Sequence, residues 1–247
     1  TSPAASDDGL GASHETRAMT EHTVRSFSAD LEELSGDVAR MGGLAEDLLS
    51  DALQAMVTAD LALADTVVRR DQQIDTLQQE LEKKILRLLA LRQPLARDLR
   101  QTVSALKVAA ELERIGDLAK NLAKRAKVLD AAPPNAVRGV ARMGKLVGAQ
   151  LKRVLDAYSA QETDAAVNVW ARDEEVDEHY ISLFRELLTY MMEDPRTISS
   201  CTHLLFVAKN LERMGDHCTN IAEEIHFLVL GEPLNSERPK ADVLSNP

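Results

Sequence analysis

The sequence ELERIGDLAKNLA at residues 111–123 occurs a second time, with changes, as NLERMGDHCTNIA at residues 210–222. Each copy carries a Glu, a Gly, an Asp and an Asn in the same order. These positions are Glu113, Gly116, Asp117 and Asn121 in the first copy and Glu212, Gly215, Asp216 and Asn220 in the second. A polar pattern repeated at one spacing needs a chemical explanation, and its repetition indicates that the chain contains one unit twice.

A second pair of matching segments lies upstream of these motifs. RRDQQID at residues 69–75 corresponds to ARDEEVD at residues 171–177. Matching positions are 102 residues apart here and 99 residues apart at the downstream motif, so one short deletion separates two otherwise parallel copies. Each copy therefore adds two aspartates that lie four residues apart, Asp71 with Asp75 and Asp173 with Asp177.

Composition and periodicity predict an all-α fold. Only 3% of the 247 residues are aromatic, and the common residues favour helices over twisted sheets. Apolar residues at helical spacing, punctuated by Asp60, Pro94, the Pro-Pro pair at 133–134, Pro195 and Gly231, predict six long helices. Their expected ranges are 22–58, 61–91, 95–130, 135–159, 163–192 and 196–230.

Short loops between these helices favour two antiparallel three-helix bundles, one for each repeat. The expected organisation is a flexible N-terminal extension at 1–21, a first repeat at 22–130, a second repeat at 135–230 and a polar tail at 231–247.

The charge of the chain restricts its partners. A formal net charge of −11 disfavours a nucleic-acid backbone and suits cations, metal ions among them. No apolar run reaches the roughly 18 residues of a membrane span, and the first residues lack the regions of a signal peptide. We therefore expect a cytoplasmic protein without membrane insertion.

The repeated carboxylates form the candidate site. On a helix, residues four apart share one face, so Glu113 and Asp117 form a polar stripe, as do Asp71 and Asp75 on the preceding helix. If the two stripes face one groove, four carboxylates converge in each half, and their repulsion favours a bound cation. Oxygen ligands of this kind suit Mg, Ca, Mn or bridged iron. The candidate metal ligands are Asp71, Asp75, Glu113, Asp117, Asp173, Asp177, Glu212 and Asp216.

Two alternatives to metal binding by a regulatory adaptor remain open from the residues alone. Acidic pairs often cover a solvated helix face, where neighbouring arginines neutralise them. A metal-free helical adaptor is therefore one alternative. A di-iron carboxylate enzyme is another, but such sites need a Glu-x-x-His on each of two helices. Only Glu223 and His226 have that spacing here.

These motifs resemble the PhoU family of cytoplasmic regulators of phosphate uptake. The resemblance covers about residues 22–230 and is carried by MGGLAEDLL at 41–49, the two aspartate segments, and above all NLERMGDHCTNIAEEI at 210–225. It implies six helices in two bundles. It also implies multinuclear metal clusters on the eight carboxylates named above, with iron as the first expectation and Mn, Mg or Zn as alternatives.

The resemblance further implies a regulatory role without catalysis. A PhoU-like protein is expected to link the ATPase subunit of a phosphate ABC transporter to a phosphate sensor histidine kinase, and to keep the phosphate starvation response off. It is expected to lie at the inner membrane only through these partners, and to form a homodimer.

Overall fold

Helices make up almost all of the described chain. This computed structural model describes residues 9–129 and 132–234, with side chains from residue 28 onward. Within those residues there is no strand, and the all-α prediction is confirmed. The helices are α1 (Gly9–Thr58), α2 (Leu61–Arg92), α3 (Ala96–Ala126), α4 (Pro134–Ala160), α5 (Thr163–Ala171), α6 (Asp173–Glu193) and α7 (Ile198–Leu230), with a 3₁₀ turn at Pro195–Thr197 before α7.

The helix bounds differ most from the expectation at the start of the first helix, within the fifth, and at the end of the third, which stops at Ala126 instead of residue 130. The first helix begins at Gly9 instead of residue 22, so residues 9–21, which we had assigned to a flexible extension, are helical. No proline interrupts this segment, which explains why the helix continues. Residues 1–8 of the expected extension, and 235–247 of the expected tail, lie outside the described residues.

The fifth expected helix is divided at Arg172 into α5 and α6. Asp173, Glu174 and Glu175 form the first turn of α6, where the helix dipole stabilises negative charge. The corresponding segment of the first repeat contains no break and lies within α2.

Each repeat folds into one helical bundle. Helices α1, α2 and α3 contact one another in the first bundle, and α4, α5, α6 and α7 form the second. The bundles join along α3 and α7 and along α1 and α4, so one continuous apolar core runs through both. In the described part of the chain, no helix is long and apolar enough to cross a membrane.

The contact between α1 and α4 repeats the internal symmetry of the sequence. A Cβ added to Gly42 would lie 2.6 Å from Leu155, and a Cβ added to Gly144 would lie 2.4 Å from Leu53. Each glycine thus packs against a leucine of the other repeat. The two glycines are 102 residues apart, and so are the two leucines. The two halves therefore pack as equivalent partners, which fixes α1 against α4 at close range.

Candidate metal centres and the contacts around them

The first acidic cluster has Asp71 and Asp75 on α2 and Glu113 and Asp117 on the neighbouring α3. Asp71, Asp75 and Asp117 are close enough to Glu113 for their charges to act on its carboxyl. The helices approach closely at Gly116, where an added Cβ would lie 3.0 Å from Ile74 and 3.5 Å from Oδ1 of Asp71. The glycine in the repeated motif therefore admits the side chains of α2 beside the carboxylates.

A lysine that the sequence analysis missed joins two of these carboxylates. The Lys120 ammonium donates to Oδ2 of Asp71 and to Oδ1 of Asp117, each at 2.5 Å. The Asp71 side chain is 3% exposed and that of Lys120 is 22% exposed, so this ion pair is largely shielded from water. Lys120 follows Asp117 by three residues on one helix, a spacing at which an ion pair could have been anticipated.

Burial and mutual repulsion shift the titration of this cluster. Burial raises the pKa of Asp71, and the Lys120 ammonium offsets this only in part. Burial also raises the pKa of Glu113, with further contributions from Asp117, Asp75 and Asp71. Burial lowers the affinity of Lys120 for its proton, but hydrogen bonds to Asp117 and Asp71 outweigh it, so its pKa is raised. The lysine thus stays charged and serves as an internal counter-ion.

The second acidic cluster comprises Asp173, Asp177, Glu212 and Asp216, on α6 and α7. The structure brings Asp177 and Asp216 close enough to raise the pKa of Glu212, although burial is the largest cause of that shift. Asp173 is 2% exposed and lies one turn before Asp177 on α6. Gly215 again marks a close approach, because an added Cβ would lie 3.3 Å from Val176, the repeat equivalent of Ile74.

The two clusters differ in their cations. The position equivalent to Lys120 in the second repeat is Thr219, whose hydroxyl donates to the backbone oxygen of Asp216. Lys209 contacts Oε1 of Glu212 at 2.7 Å from outside the repeated motif. Its side chain is 48% exposed, so water screens this pair more than the pair in the first cluster.

Two buried oxygens fit a metal-binding reading of these clusters. Oδ1 of Asp71 and Oε2 of Glu212 have no hydrogen-bond partner, although both atoms are shielded from solvent. Unpartnered carboxylate oxygens suit hard cations, and leaving them unpaired is costly. In the arrangement described for residues 28–129 and 132–234, no three ligand side chains meet at one point. Ion binding would therefore require the carboxylates to turn toward the ion.

A polar contact between α3 and α7 also lay outside the predicted site. Oε2 of Glu111 accepts a hydrogen bond from Nδ2 of Asn220 at 3.0 Å and lies 2.7 Å from Nδ1 of His217. Burial alone would raise the pKa of Glu111, but these two contacts outweigh it and lower the pKa. These contacts join the first repeat to the second, because Glu111 lies on α3 and its two partners lie on α7.

The remaining polar residues of the motifs have other surroundings. Asn121 is exposed, so it does not extend the first cluster. Glu223 accepts a hydrogen bond from Nε1 of Trp170 at 3.0 Å, and Nδ1 of His226 contacts the backbone oxygen of Glu232. The Glu223 and His226 pair of the di-iron alternative is thus engaged in separate contacts.

Comparisons with known proteins agree with the repeated architecture. The PhoU domain family model matches twice, at residues 38–126 and 140–225. A phosphate-specific transport system accessory protein PhoU homolog from Caulobacter vibrioides is 59% identical over 229 residues, which are 92% of this chain and 100% of the relative. A protein of the same description from Rhizobium meliloti is 46% identical, over 91% of this chain and 95% of the relative.

Solved structures give the same result. The crystal structure of PhoU from Pseudomonas aeruginosa superposes with a TM-score of 0.81 at 40% identity, covering 83% of this chain and 100% of that chain. The phosphate transport system regulatory protein PhoU from Streptococcus pneumoniae superposes with a TM-score of 0.78 at 29% identity, covering 85% and 100%. With two matching domains, a shared helical fold and relatives matched over nearly their whole length, this chain belongs to the PhoU family.

Proposed function

We propose that this chain is a negative regulator of the phosphate starvation response and a modulator of phosphate uptake. The observation that supports this most is the match to a phosphate-specific transport system accessory protein over the full length of that relative. In this role the chain is a non-enzymatic adaptor between the ATPase subunit of a phosphate ABC transporter and a sensor histidine kinase. It acts from the cytoplasmic side of the membrane, through these partners.

The architecture suits an adaptor because its two bundles share one apolar core and leave large outer faces. One apolar core runs through both bundles, so a partner bound to one bundle is held at a fixed position relative to the other. We further propose that the protein acts as a homodimer, which sedimentation of the purified chain would reveal as twice the monomer mass.

The test of the regulatory role is a phosphate starvation reporter in the source organism. Deletion of the gene should raise the reporter in high-phosphate medium, and the intact chain should lower it again. A reporter that stays off in the deletion strain contradicts the proposed role. Cells that carry the chain with exposed Lys83→Glu on α2 serve as a control for complementation.

We also propose that the acidic clusters bind metal, with iron first and Mn, Mg or Zn as alternatives. Asp173, Asp177, Glu212 and Asp216 would hold the ions of the second cluster, where a metal would give Oε2 of Glu212 the partner that it lacks. Binding at Asp71, Asp75, Glu113 and Asp117 would require displacement of the Lys120 ammonium. The unpartnered oxygens of Asp71 and Glu212 support this proposal.

The metal proposal is tested by elemental analysis of a double variant, Glu212→Ala with Asp216→Ala. The amount of metal per protein and the melting temperature should fall together, because the variant lacks two carboxylate ligands and so loses the stabilisation that bound metal gives. A matched control is Glu174→Ala with Glu178→Ala, which removes two exposed carboxylates at the same spacing on α6. Unchanged metal content in the first variant, or equal loss in the control, contradicts metal binding at the second cluster.

A further inference from the structure

A groove between α1 and α4 is lined by apolar, uncharged polar and basic residues and, in the described part of the chain, by no acidic one, although the chain as a whole is acidic. It encloses about 470 Å³ between the last turns of α1 and the first turns of α4. Its apolar surface is provided by Leu53, Val57 and Ala141. Val57 is 51% exposed, so this groove presents apolar surface to solvent.

Three cations border the groove along one edge. Arg138, Arg142 and Lys145 are exposed and follow one another at i, i+4 and i+7, which places them in a single stripe on α4. In the part of the chain for which side chains are described, none of the three lies within 4.0 Å of a carboxylate oxygen. Arg138 donates to the amide oxygen of Asn135 instead. We name this site, bordered by the three cations, the basic groove.

The acids of α1 are directed away from the groove. Besides the apolar Leu53 and Val57, α1 contributes only uncharged polar residues, Ser50, Gln54 and Thr58. On the same turns of α1, Asp47 and Asp51 pair with Arg70 of α2. Glu186 of α6 approaches one end of the stripe, since its Oε2 and Nη2 of Arg142 lie 3.7 and 3.8 Å from the same Cβ position at Gly139. The positive charge of the basic groove is therefore offset only in part, although the whole chain carries −11.

The internal repeat shows that the fold itself does not require these cations. With the offset of 102 residues, the positions equivalent to Arg138, Arg142 and Lys145 are Gly36, Arg40 and Gly43. Arg40 there forms an ion pair with Asp37. The same packing of α1 against α4 thus occurs twice, but the row of three cations occurs only in the second repeat, on α4.

We propose that the basic groove binds an acidic, amphipathic helical segment of a partner protein. The apolar face of that helix would cover Leu53, Val57 and Ala141, and its carboxylates would pair with the stripe on α4. An apolar floor beside a row of cations matches such a helix in both respects. A small inorganic anion would leave the floor uncovered. A flat bilayer fits a concave groove less well. The inference concerns the chemistry of the segment and does not rest on the phosphate-regulatory role.

The test uses a synthetic peptide and the full chain. The peptide is fluorescein-labelled, about 18 residues or five helical turns long, with leucines on one face and glutamates at i, i+4 and i+7 on the other. Fluorescence anisotropy should show saturable binding that weakens as salt screens the ion pairs. A peptide of the same composition in scrambled order, and one with lysine for each glutamate, should bind at least about tenfold more weakly.

Two exposed positions distinguish the basic groove from other surfaces. Arg142→Glu should raise the dissociation constant about tenfold or more by loss of a charge pair. Val57→Asp should do the same, by loss of apolar contact together with repulsion of the glutamates of the peptide. The control Lys83→Glu makes the same charge change on α2 and should alter binding by less than about twofold. Circular dichroism melts will show that the variants are folded.

Several results would overturn the inference. These are absence of peptide binding, equal binding of the scrambled peptide, or unchanged binding by Arg142→Glu. If Arg142→Glu instead dissociates a dimer in sedimentation, the groove is covered by a second copy. If it abolishes binding to phosphatidylglycerol vesicles while the peptide does not bind, the occupant is a lipid surface. A negative peptide result leaves the reporter experiment unaffected, so the two proposals fail independently.

Discussion

Replacement of Lys120 by threonine tests whether the first acidic cluster depends on its internal cation. Threonine is the residue that the second repeat carries at the equivalent position, Thr219. The substitution leaves Asp71, whose side chain is 3% exposed, without a positive partner. We therefore expect a clear loss of stability in the metal-free protein.

The magnitude follows from the burial of the three groups. Removing one partner of a fully buried ion pair costs about 3–5 kcal/mol. Lys120 retains 22% exposure and the Asp117 side chain is 47% exposed, so solvent reduces this cost. We expect about 2–3 kcal/mol, which corresponds to a melting temperature lower by about 4–12 °C in a chain of this size.

The pH dependence of this loss has a definite sign. Burial already raises the pKa of Asp71, and removal of the ammonium raises it further. A carboxyl with a raised pKa binds its proton more tightly in the folded state, so its unfavourable contribution grows as pH rises. The difference between Lys120→Thr and the original chain should therefore be larger at about pH 7 than at about pH 5.

The assay is urea unfolding followed by circular dichroism, with a chelator present to exclude metal. Lys124→Thr is the control, because Lys124 is exposed one turn later on α3. Adding Asp71→Asn to Lys120→Thr should restore part of the stability, since the amide carries no charge to neutralise. A loss below about 0.5 kcal/mol, the size of an ordinary surface substitution, would refute the assigned role of Lys120.

Three further contacts are tested by urea unfolding of substituted chains. Gly42→Ala should destabilise the fold by about 1 kcal/mol, because the collision with a leucine of α4 exceeds the gain in helix propensity. Gly43→Ala, whose added Cβ would have nothing within 4 Å, should stabilise it by about 0.5–1 kcal/mol. Changes of the same sign in the two unfolding free energies would contradict the close packing at Gly42. Glu111→Gln should cost about 1–2 kcal/mol at neutral pH. Because the pKa of Glu111 is lowered in the folded state, this cost should shrink as pH falls through that pKa, and a constant cost would contradict the ionised contact. Trp170→Phe should cost about 1–2 kcal/mol by leaving Glu223 without its donor, while Glu223→Gln keeps an acceptor and should cost less.

Much of the candidate site was predictable because helical spacing is local. Glu113 and Asp117 lie on one face by geometry alone, and the repeat identified their counterparts before any tertiary contact was known. Lys120 was missed because a lysine at i+3 from an aspartate usually forms a weak surface pair. Its importance comes from Asp71, which belongs to another helix and is buried. The pairing of Glu111 with His217 was missed for the same reason, since these residues are 106 positions apart.

The sequence by itself determined the helical class, the duplication and the positions of the paired carboxylates, because periodicity and repeated motifs depend only on neighbouring residues. Tertiary structure decided that Lys120 pairs with Asp71 and Asp117, and that the fifth expected helix is divided into α5 and α6. It also decided that a leucine of each repeat packs against a glycine of the other. It further decided that three cations on α4 lie beside apolar side chains of α1, and that in the described part of the chain none of the three forms an ion pair. These features depend on how distant helices pack, and burial then sets the strength of each charge interaction.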